Sequence, residues 1–444
     1  MASKQDLKLI DDIMKEDAKQ KQKKHVKEMQ RAFNIIKEFI IENQLIVYGG
    51  LALNNLLPEK YKFYTKDDIP DYDFYSPNGM EHSVNLANKL YIAGYKYVSV
   101  DSALHDNTYR ISVNFTVVAD ITSLTPVFFK NILAISIAEN KKLHMFSHVS
   151  HEKLLMAPIH LLKYGLYKEL AQPNNIFRWR KVYDRMLIFC SYHKHPKNTG
   201  LDYYNALKSK NMHNITISNK DISILIHHVA AYVKSNEFPL IGNTAIGLHM
   251  KSKNIFKSCC RLDEFFSIFE IICKDVDKTC KEIEEIFNKC KPLFNDKWEL
   301  IIDQRFYHSE ILPRRNRIYI QDKNTLQKTA LMTVFNSNMY CFSYTRINGY
   351  TVGGLYTILS FLYAYTLLYH VYESDKIVNM VINMIGAVEM FIKRDLKYNI
   401  KETMLTQCFG FKGTFSVIKR QHWTNTQFNY RPDKNKKVTH LKNK

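Results

Sequence analysis

The spacing of hydrophobic positions along this chain changes several times, and each change predicts an element. From residue 3 to residue 43, apolar side chains such as Phe33, Ile36 and Ile40 recur at helical spacing and predict one long helix. Leu45–Val47 then predicts a short strand, and 51–57 the helix after it. The first half continues with a predicted strand at 71–75, a helix at 81–93, strands near 95–100, 109–115 and 116–121, and helices at 151–171 and 176–190. This order predicts a small mixed sheet with helices packed on it.

The second half begins after the polar stretch 193–200. Its pattern predicts helices at 220–235 and 262–289 and strands at 299–305, 316–321 and 340–346. The uncharged run 351–372 contains five tyrosines, which favour a buried helix over a membrane span. At the start of this run, Thr351-Val352-Gly353-Gly354-Leu355 echoes Val47–Leu51, with the same Gly-Gly-Leu after a nearby valine and again before an apolar helix. That echo is compatible with a duplicated domain, although so short a match arises easily by chance.

Composition narrows the class of protein. The 444 residues exceed the roughly 250–300 at which a single core stops growing, so two domains are expected. Hydrophobic residues at 46% exclude a disordered chain. Eight cysteines are too few for a disulfide scaffold, and Cys259, Cys260, Cys273, Cys280 and Cys290 lack CxxC spacing, so structural thiols in a reducing compartment are expected. The charged first 30 residues contain no apolar stretch typical of a signal peptide.

The charge balance favours a polyanionic partner. Lysine and arginine number 63 against 43 acidic residues, a formal charge of +20. Neutralising phosphates with such a surplus releases counterions and favours nucleic-acid binding. The alternative is a lysine-rich surface that serves solubility alone.

Two short motifs carry candidate chemistry. Gly49 and Gly50 lie between the first strand and its helix, where bare backbone N–H groups can approach phosphate oxygens. Asp71 and Asp73 are two apart on a predicted strand and therefore point to the same side. Neighbouring carboxylates repel unless a cation lies between them, and Mg²⁺ prefers such oxygen ligands. The alternative interpretations are a simple tight turn and a polar strand face.

A third acid is expected on a neighbouring strand. Asp120 ends the apolar run Phe115–Ala119. A buried, unpaired charge there would cost several kcal/mol, so Asp120 needs a cation or exposure to water. It could also simply cap the next turn. With Asp71 and Asp73 it completes a candidate two-metal triad.

These parts resemble the DNA polymerase β-like nucleotidyltransferase superfamily, whose signature is a glycine pair, Asp-x-Asp and a third aspartate. The following segment is similar to poly(A) polymerase catalytic subunits of large cytoplasmic DNA viruses. That similarity rests on Pro158, Leu161-Leu162-Lys163, Glu169, Pro173 and Arg178-Trp179-Arg180-Lys181-Val182-Tyr183-Asp184-Arg185. Many superfamily members have Gly-Ser in place of Gly49-Gly50, and the gap from Gly50 to Asp71 is longer here than in compact members.

The resemblance implies an α+β fold, with a nucleotidyltransferase-type mixed sheet and packed helices, followed by a second, degenerate nucleotidyltransferase-like domain. It implies an N-terminal helical extension at 1–30, a catalytic domain at 31–195, a degenerate and RNA-binding domain at 196–430, and a basic tail at 431–444.

The implied reaction is attack of an RNA 3′-hydroxyl on the α-phosphate of ATP, assisted by two Mg²⁺ or Mn²⁺ ions. Asp71 and Asp73 would bridge both ions, and Asp120 would ligate the ion at the hydroxyl. The candidates for charge on the triphosphate or primer, each equally explained as a helix-surface residue, are Lys163, Arg178 and Lys181.

Partners follow from the same resemblance: an RNA 3′ end, ATP, and a homodimer or viral processivity partner, with no membrane and a cytoplasmic location at a viral replication site or in the virion. Basic residues beside aromatics suit single-stranded RNA. Two clusters qualify, Pro313-Arg314-Arg315-Asn316-Arg317 and Lys419-Arg420 with His422 and Trp423, although solvated loops explain them almost as well. The alternatives are another nucleotidyltransferase, tRNA-end-adding or protein-modifying, and a non-catalytic RNA-binding scaffold.

Overall fold

The computed structural model describes twelve stretches of the chain: residues 4–65, 68, 71–103, 107–146, 154–208, 220–251, 267–294, 297–304, 311–337, 340–372, 375–410 and 428–432. They belong to two compact units. Unit 1 comprises residues 1–158 and 417–444, and unit 2 comprises residues 159–416. The units change at residue 158, whereas the sequence predicted functional domains that change at residue 195; those domain limits stay predictions.

Unit 1 is a mixed sheet with helices packed on it, as predicted. Its elements are α1 (Lys4–Glu42), β1 (Ile46–Val47), α2 (Gly49–Asn55), β2 (Tyr72–Ser76), α3 (Gly79–Ile92), β3 (Ser99–Ser102), β4 (Thr108–Val113), β5 (Thr116–Ser123), α4 (Pro126–Phe146), β6 (Leu155–Met156) and, from the far end of the chain, β15 (Asn429–Tyr430). The strands are ordered β15-β3-β4-β5-β2-β1-β6.

The first helix shows why burial follows the sequence period. Phe33, Ile36 and Ile40 are buried, and α1 packs on α3 and β5. Nearer the N-terminus, Leu9 and Ile13 are exposed, so the apolar stripe of α1 does not reach the core of unit 1 at these two positions.

Unit 2 contains a second mixed sheet. Its elements are α5 (Ile159–Leu170), α6 (Trp179–Tyr192), α7 (Leu201–Lys208), α8 (Lys220–Ser235), β7 (Leu240–Ile241), α9 (Gly242–His249), β8 (Phe269–Cys273), α10 (Val276–Cys290), β9 (Trp298–Asp303), β10 (Arg315–Asp322), β11 (Lys328–Asn336), β12 (Cys341–Ile347), β13 (Tyr350–Gly353), α11 (Leu355–Tyr372), α12 (Asp375–Arg394), α13 (Ile400–Thr403) and β14 (Cys408–Gly410). The strand order is β14-β12-β13-β7-β8-β11-β10-β9.

Six strands of unit 2 repeat the sheet of unit 1. The order β3-β4-β5-β2-β1-β6 in unit 1 corresponds to β9-β10-β11-β8-β7-β13 in unit 2, with matching parallel and antiparallel pairs. The register also matches, because Val47 pairs with Phe74 as Leu240 pairs with Ile271. The second, nucleotidyltransferase-like domain predicted from the sequence is therefore present as a repeat of the fold.

The position of the echo was wrong. Gly353 ends β13, which corresponds to β6 rather than to β1. The true counterpart of Gly49 is Gly242, which begins α9 directly after β7. The backbone angle φ is +68° at Gly49 and +69° at Gly242, so both turns use the left-handed region that favours glycine.

Other differences concern elements hidden by continuous burial. The predicted helix 262–289 was wrong in its middle, because Phe269–Cys273 is a strand whose five residues are all buried. Cys273 therefore lies on β8, whereas Cys280 lies on α10. Cys341 and Cys408 form a disulfide between β12 and β14, with Cα atoms 5.3 Å apart, which the sequence did not indicate.

Within the run 351–372, Thr351–Gly353 belong to β13 and residues 355–372 form α11, whose residues up to Leu368 are buried, as predicted. Among the helices that the structure describes, none has the length and hydropathy needed to span a bilayer.

Candidate active site

The turn at Gly49 begins the site. Val47 ends β1, and the N–H of Tyr48 donates to the carbonyl of Asp73 at 2.8 Å, which fixes the turn against β2. A Cβ added to Gly49 would lie 3.0 Å from Cγ of Asp73 and closer still to Oδ2. Glycine is thus required here both by its positive φ and by the closeness of the Asp73 carboxylate.

The predicted acids meet on one face of the sheet. β2 and β5 are parallel, and Asp73 is the register partner of Asp120. Adjacent strands lie about 4.8 Å apart, and partners in register point to the same face, so the two carboxylates are neighbours. Asp71 is exposed, lies directly before β2 and shares this face by alternation. The condition that the sequence set for the triad, adjoining strands with one shared face, is met by Asp73 and Asp120.

Arg110 is a residue of this face that the sequence analysis missed. It lies on β4, opposite Asp120 in the antiparallel pair with β5. Its Nε donates to Oδ1 of Asp120 at 2.8 Å and its Nη2 donates to Oδ2 at 2.6 Å, a bidentate ion pair. The pKa of Arg110 is raised, first by these hydrogen bonds and further by the charges of Asp120, Asp71 and Asp73.

A hydroxyl layer lies beside the acids. Tyr48 stacks on Tyr75 with ring centroids 4.0 Å apart, and its phenol lies 2.8 Å from Oγ1 of Thr122. That oxygen is 2.9 Å from Oγ1 of Thr108. Burial raises the pKa of Tyr48 well above its usual value, and the negative charge of Asp73 raises it further, so the phenol stays neutral and bonded. These contacts hold in place the side chains that border the acids on the sheet.

The fit to a divalent cation is partial. Carboxylate oxygens on one face are the ligands that Mg²⁺ and Mn²⁺ prefer. Yet within the stretches that the structure describes, no three His, Cys, Asp or Glu side chains are grouped closely enough to hold a metal ion. Both oxygens of Asp120 instead accept hydrogen bonds from Arg110. The residue types and the strand register fit the ions, and the side-chain grouping would have to form as they bind.

The three cationic candidates belong to unit 2. Lys163 on α5 is 1% exposed, with Nζ 5.6 Å from the centroid of the Tyr363 ring. Arg178 pairs with Glu169 at 3.1 Å, and burial raises the pKa of that carboxyl despite the opposing charge of Arg178. Lys181 is exposed on α6. Their predicted contact with a triphosphate or primer stays a prediction.

The predicted RNA clusters have different outcomes. Arg315 and Arg317 are buried in β10, and so is Asn316, so these side chains cannot form the exposed basic surface that the sequence suggested. Arg314 is exposed and pairs with Asp277 at 3.1 Å. The second cluster, Lys419-Arg420 with His422 and Trp423, lies outside the described residues.

Comparison with known proteins agrees with this geometry. Residues 34–161, which contain the glycine turn and all three aspartates, match the family described as poly(A) polymerase catalytic subunit. A protein of African swine fever virus (strain Badajoz 1971 Vero-adapted), assigned as such a subunit, is 35% identical over 126 residues, or 28% of this chain and 26% of that protein. A relative from Acanthamoeba polyphaga mimivirus with the same assignment is 42% identical over 106 residues, 23% of this chain and 18% of its own.

The predicted family resemblance is confirmed over residues 34–161. The match spans about a quarter of the African swine fever virus relative. Over the whole chain, the crystal structure of the Megavirus polyadenylate synthase has a TM-score of 0.69 at 20% identity, covering 97% of this chain and 86% of that one. At such identity the match shows the fold, and the predicted α+β class is confirmed.

The face of unit 1 that carries Asp73 and Asp120 has a counterpart in unit 2 with fewer carboxylates. Through the shared register, Glu270 stands where Asp73 stands in unit 1, and a Cβ added to Gly242 would lie 2.7 Å from its Cδ. Thr333 takes the position of Asp120, and Ile268 that of Asp71. With two of three carboxylates replaced, unit 2 cannot assemble the same two-metal site.

Glu270 is held by neighbours instead. Tyr365 donates to its Oε2 at 2.6 Å, and the charges of Arg317 and Arg315 lower its pKa against the larger upward effect of burial. Arg317 faces Thr333 across β10 and β11, as Arg110 faces Asp120 in unit 1. The arginine position is therefore kept in both units.

Tyr365→Phe should lower the free energy of unfolding by about 1–3 kcal/mol, because it leaves a buried carboxyl oxygen without its donor. Chemical denaturation followed by fluorescence measures the change. Tyr204→Phe removes a more exposed hydrogen bond to Asp395 and should change stability by less. Equal effects from the two variants would contradict a structural role for the Glu270 network.

Proposed function

We propose that this protein is a template-independent RNA nucleotidyltransferase, a poly(A) polymerase that adds AMP from ATP to the 3′-hydroxyl of RNA. The observation that carries the proposal is the register of Asp73 and Asp120 on parallel strands, with Asp71 on the same face and the Gly49 turn packed against Asp73. This arrangement lies inside the segment that matches poly(A) polymerase catalytic subunits. Its relatives are viral proteins, and a cytoplasmic location stays a prediction.

In the reaction, an oxygen of the RNA 3′ end forms a bond to the α-phosphorus of ATP, and the bond to pyrophosphate breaks. When bound, two Mg²⁺ or Mn²⁺ ions would supply positive charge that lowers the pKa of the attacking hydroxyl and stabilises the leaving oxygen. Asp71 and Asp73 would hold both ions. Asp120 would ligate on the hydroxyl side and is the candidate acceptor of the hydroxyl proton. Gly49 and Gly50 would leave room for the triphosphate.

Two alternative functions make different demands on the acids. Another nucleotidyltransferase, tRNA-end-adding or protein-modifying, would use the same acids but add one or a few nucleotides, or label a protein. A scaffold that binds RNA without catalysis would not need the carboxylates. The alignment of Asp73 and Asp120 favours an enzyme, because like charges side by side on neighbouring strands are destabilising and the single guanidinium of Arg110 offsets only part of this repulsion.

A primer-extension assay tests the proposal. A 5′-labelled RNA primer is incubated with the protein, Mg²⁺ or Mn²⁺, and each nucleoside triphosphate separately, and products are resolved on a gel. Long tails made from ATP alone are expected. One or two added nucleotides, or label transferred to protein, would favour the alternative enzymes, and no product with any triphosphate would favour the scaffold.

RNA would be held by an exposed surface at the start of α6, which we call the 176–181 surface. Ile176 and Phe177 are 55% and 77% exposed, and Arg180 and Lys181 beside them are exposed as well. An exposed aromatic ring flanked by cations is suited to stack an unpaired base while the cations neutralise phosphates. This surface replaces the buried Arg315–Arg317 stretch as the candidate.

Phe177→Ala should weaken binding of a single-stranded oligoadenylate about fivefold to a hundredfold, the effect of losing one stacked base. The double variant Arg180→Gln, Lys181→Gln should reduce the slope of log Kd against log salt by about 1.4, since each lost contact with a single strand contributes about 0.7. Fluorescence anisotropy at several salt concentrations measures both.

Phe115→Ala is the matched control, because Phe115 is 82% exposed but lies on unit 1 against Tyr97. It should leave RNA affinity unchanged. If Phe115→Ala weakened binding and Phe177→Ala did not, the 176–181 surface would be the wrong one.

A further inference from the structure

Asp120 and Asp101, two acidic residues of the unit 1 sheet, have different cationic partners. Asp120 accepts two hydrogen bonds from Arg110, at 2.8 and 2.6 Å, and its side chain is 18% exposed. Asp101, opposite Arg110 on β3, pairs with Arg431 at 3.2 Å and accepts from Asn429 at 2.9 Å. The guanidinium of Arg110 is therefore committed to the acid that the mechanism needs.

The two oxygens of Asp120 are not fully used by Arg110. Each carboxylate oxygen offers two lone pairs, and the guanidinium takes one from each. A metal ion could still approach the remaining lone pairs, but it would bring two positive charges next to the positive charge of Arg110. At separations of a few ångströms such repulsion is substantial even with the screening typical of a protein surface.

Unit 2 provides an internal comparison. Arg317 occupies the position of Arg110, and its charge acts on the buried carboxyl of Glu270. Two carboxylates of the triad are absent there, yet the arginine is present. Unit 2 thus has the positive charge of a guanidinium on the sheet face that corresponds to the proposed cation-binding face of unit 1.

We propose that Arg110 is a positioning residue that stands in for the catalytic cations: it neutralises and orients Asp120 when no metal is bound, and it competes with the metal for that carboxylate. This inference rests on the proposed two-metal function. It also accounts for the absence of a ready-made metal cluster among the described side chains, because Asp120 is turned to Arg110. Binding of a cation would loosen the Arg110–Asp120 pair.

Mn²⁺ binding to the full chain tests the inference without relying on activity. Free Mn²⁺ is measured by electron paramagnetic resonance during titration of wild type, Arg110→Gln and Arg110→Lys. Arg110→Gln should bind Mn²⁺ about tenfold more tightly, since one repelling charge is gone. Arg110→Lys keeps the charge and should stay within about threefold of wild type. Arg431→Gln, which removes a cation from Asp101 instead, should bind as wild type does.

Thermal unfolding gives a second readout. Without metal, Arg110→Gln should melt at a lower temperature than wild type, because three carboxylates then lack their compensating charge. Saturating Mn²⁺ should raise its melting temperature by more than it raises that of wild type. If Arg110→Gln is unfolded without metal, Mn²⁺ should therefore restore its folding. Arg110→Lys keeps the charge and provides a folded variant for the binding measurement.

The outcomes separate this inference from the proposed function. If Arg110→Gln binds Mn²⁺ no more tightly than wild type, Arg110 does not compete with the metal. The inference also fails if Asp73→Asn binds Mn²⁺ as tightly as wild type, because the ion then binds elsewhere. Tight, Asp73-dependent Mn²⁺ binding that Arg110→Gln strengthens supports it. If such binding occurs but no nucleotide is added to RNA, the polymerase proposal fails while the role of Arg110 stands.

Discussion

Asp73→Asn should abolish primer extension, with a loss of at least about a thousandfold in rate, and should leave the protein folded. The substituted amide would keep the size of the side chain but remove the charge that, in the proposed mechanism, would hold the two cations. Metal charge is worth several kcal/mol to such a transition state, and about 4 kcal/mol corresponds to a thousandfold. Extension of a labelled RNA primer under single-turnover conditions measures the loss.

The same change should not lower the melting temperature in the absence of metal. Asp73 and Asp120 are charged neighbours on parallel strands, and removing their repulsion should offset the lost attraction between Asp73 and Arg110. An unchanged or higher melting temperature combined with lost extension would mark Asp73 as a catalytic rather than a structural acid.

Asp101→Asn is the control on the same sheet. Asp101 lies on β3 and pairs with Arg431 at the surface, so its replacement should leave extension within about threefold of wild type. Retained extension by Asp73→Asn would refute the two-metal mechanism. Equal losses from both variants would point to a general effect of charge on the sheet.

Gly49→Ala should cost about a hundredfold in extension and also destabilise the protein. The alanine would have to adopt φ near +68°, which costs about 1–2 kcal/mol, and its Cβ would push against the Asp73 carboxylate. If Asp73 is a metal ligand as proposed, displacing it by about 1 Å is enough for a loss of this size. Extension rates and denaturant unfolding of the same preparation separate the two effects.

Two other glycines isolate the cause. Gly94 has φ of +94°, but a Cβ there would meet nothing within 4 Å, so Gly94→Ala should reduce stability without affecting extension. Gly242→Ala reproduces the clash in unit 2, against Glu270, and should reduce stability while extension by the folded fraction continues. If Gly94→Ala slowed extension as much as Gly49→Ala does, backbone strain alone would explain the effect and the contact with Asp73 would not matter.

Much of unit 1 could be predicted because its candidate site residues are polar residues or glycines within otherwise apolar segments. Asp71 and Asp73 alternate with buried Tyr72 and Phe74, a two-residue period that only a strand gives. Gly49 follows a short apolar run, which places a turn there. These local signals identified the two central strands and the acids on them.

Unit 2 was harder to predict because its residues lack such contrast. All five residues of Phe269–Cys273 are buried, so no alternation separates this strand from a helix. The acid within it, Glu270, is a single carboxylate without an Asp-x-Asp partner. Gly242 is followed by asparagine rather than by a second glycine. The pattern of a second glycine pair therefore indicated Gly353-Gly354, which occurs by chance, instead of the true counterpart of Gly49.

Arg110 was missed for a different reason. Its role depends on which residue lies opposite Asp120 across two strands, and the pairing of β4 and β5 contains a bulge between Ile111 and Ser112. If the pairing of β4 with β5 is extended from the turn between them without the bulge, Tyr109 rather than Arg110 lies opposite Asp120. A shift of one residue in register exchanges the two faces of a strand. Only the observed pairing reveals the arginine.

Strand β15 has a consequence for biosynthesis. Asn429 and Tyr430 pair with Asp101 and Val100, and the N–H of Ser102 donates to the carbonyl of Phe428 at 3.0 Å. A nascent polypeptide emerging from the ribosome therefore cannot close this side of its first sheet until residues 428–430, about 330 residues beyond β3, have been made. Until then β3 presents unpaired backbone groups of the kind that invite aggregation, so newly made chains should depend on chaperones, and an excised N-terminal fragment should be poorly soluble.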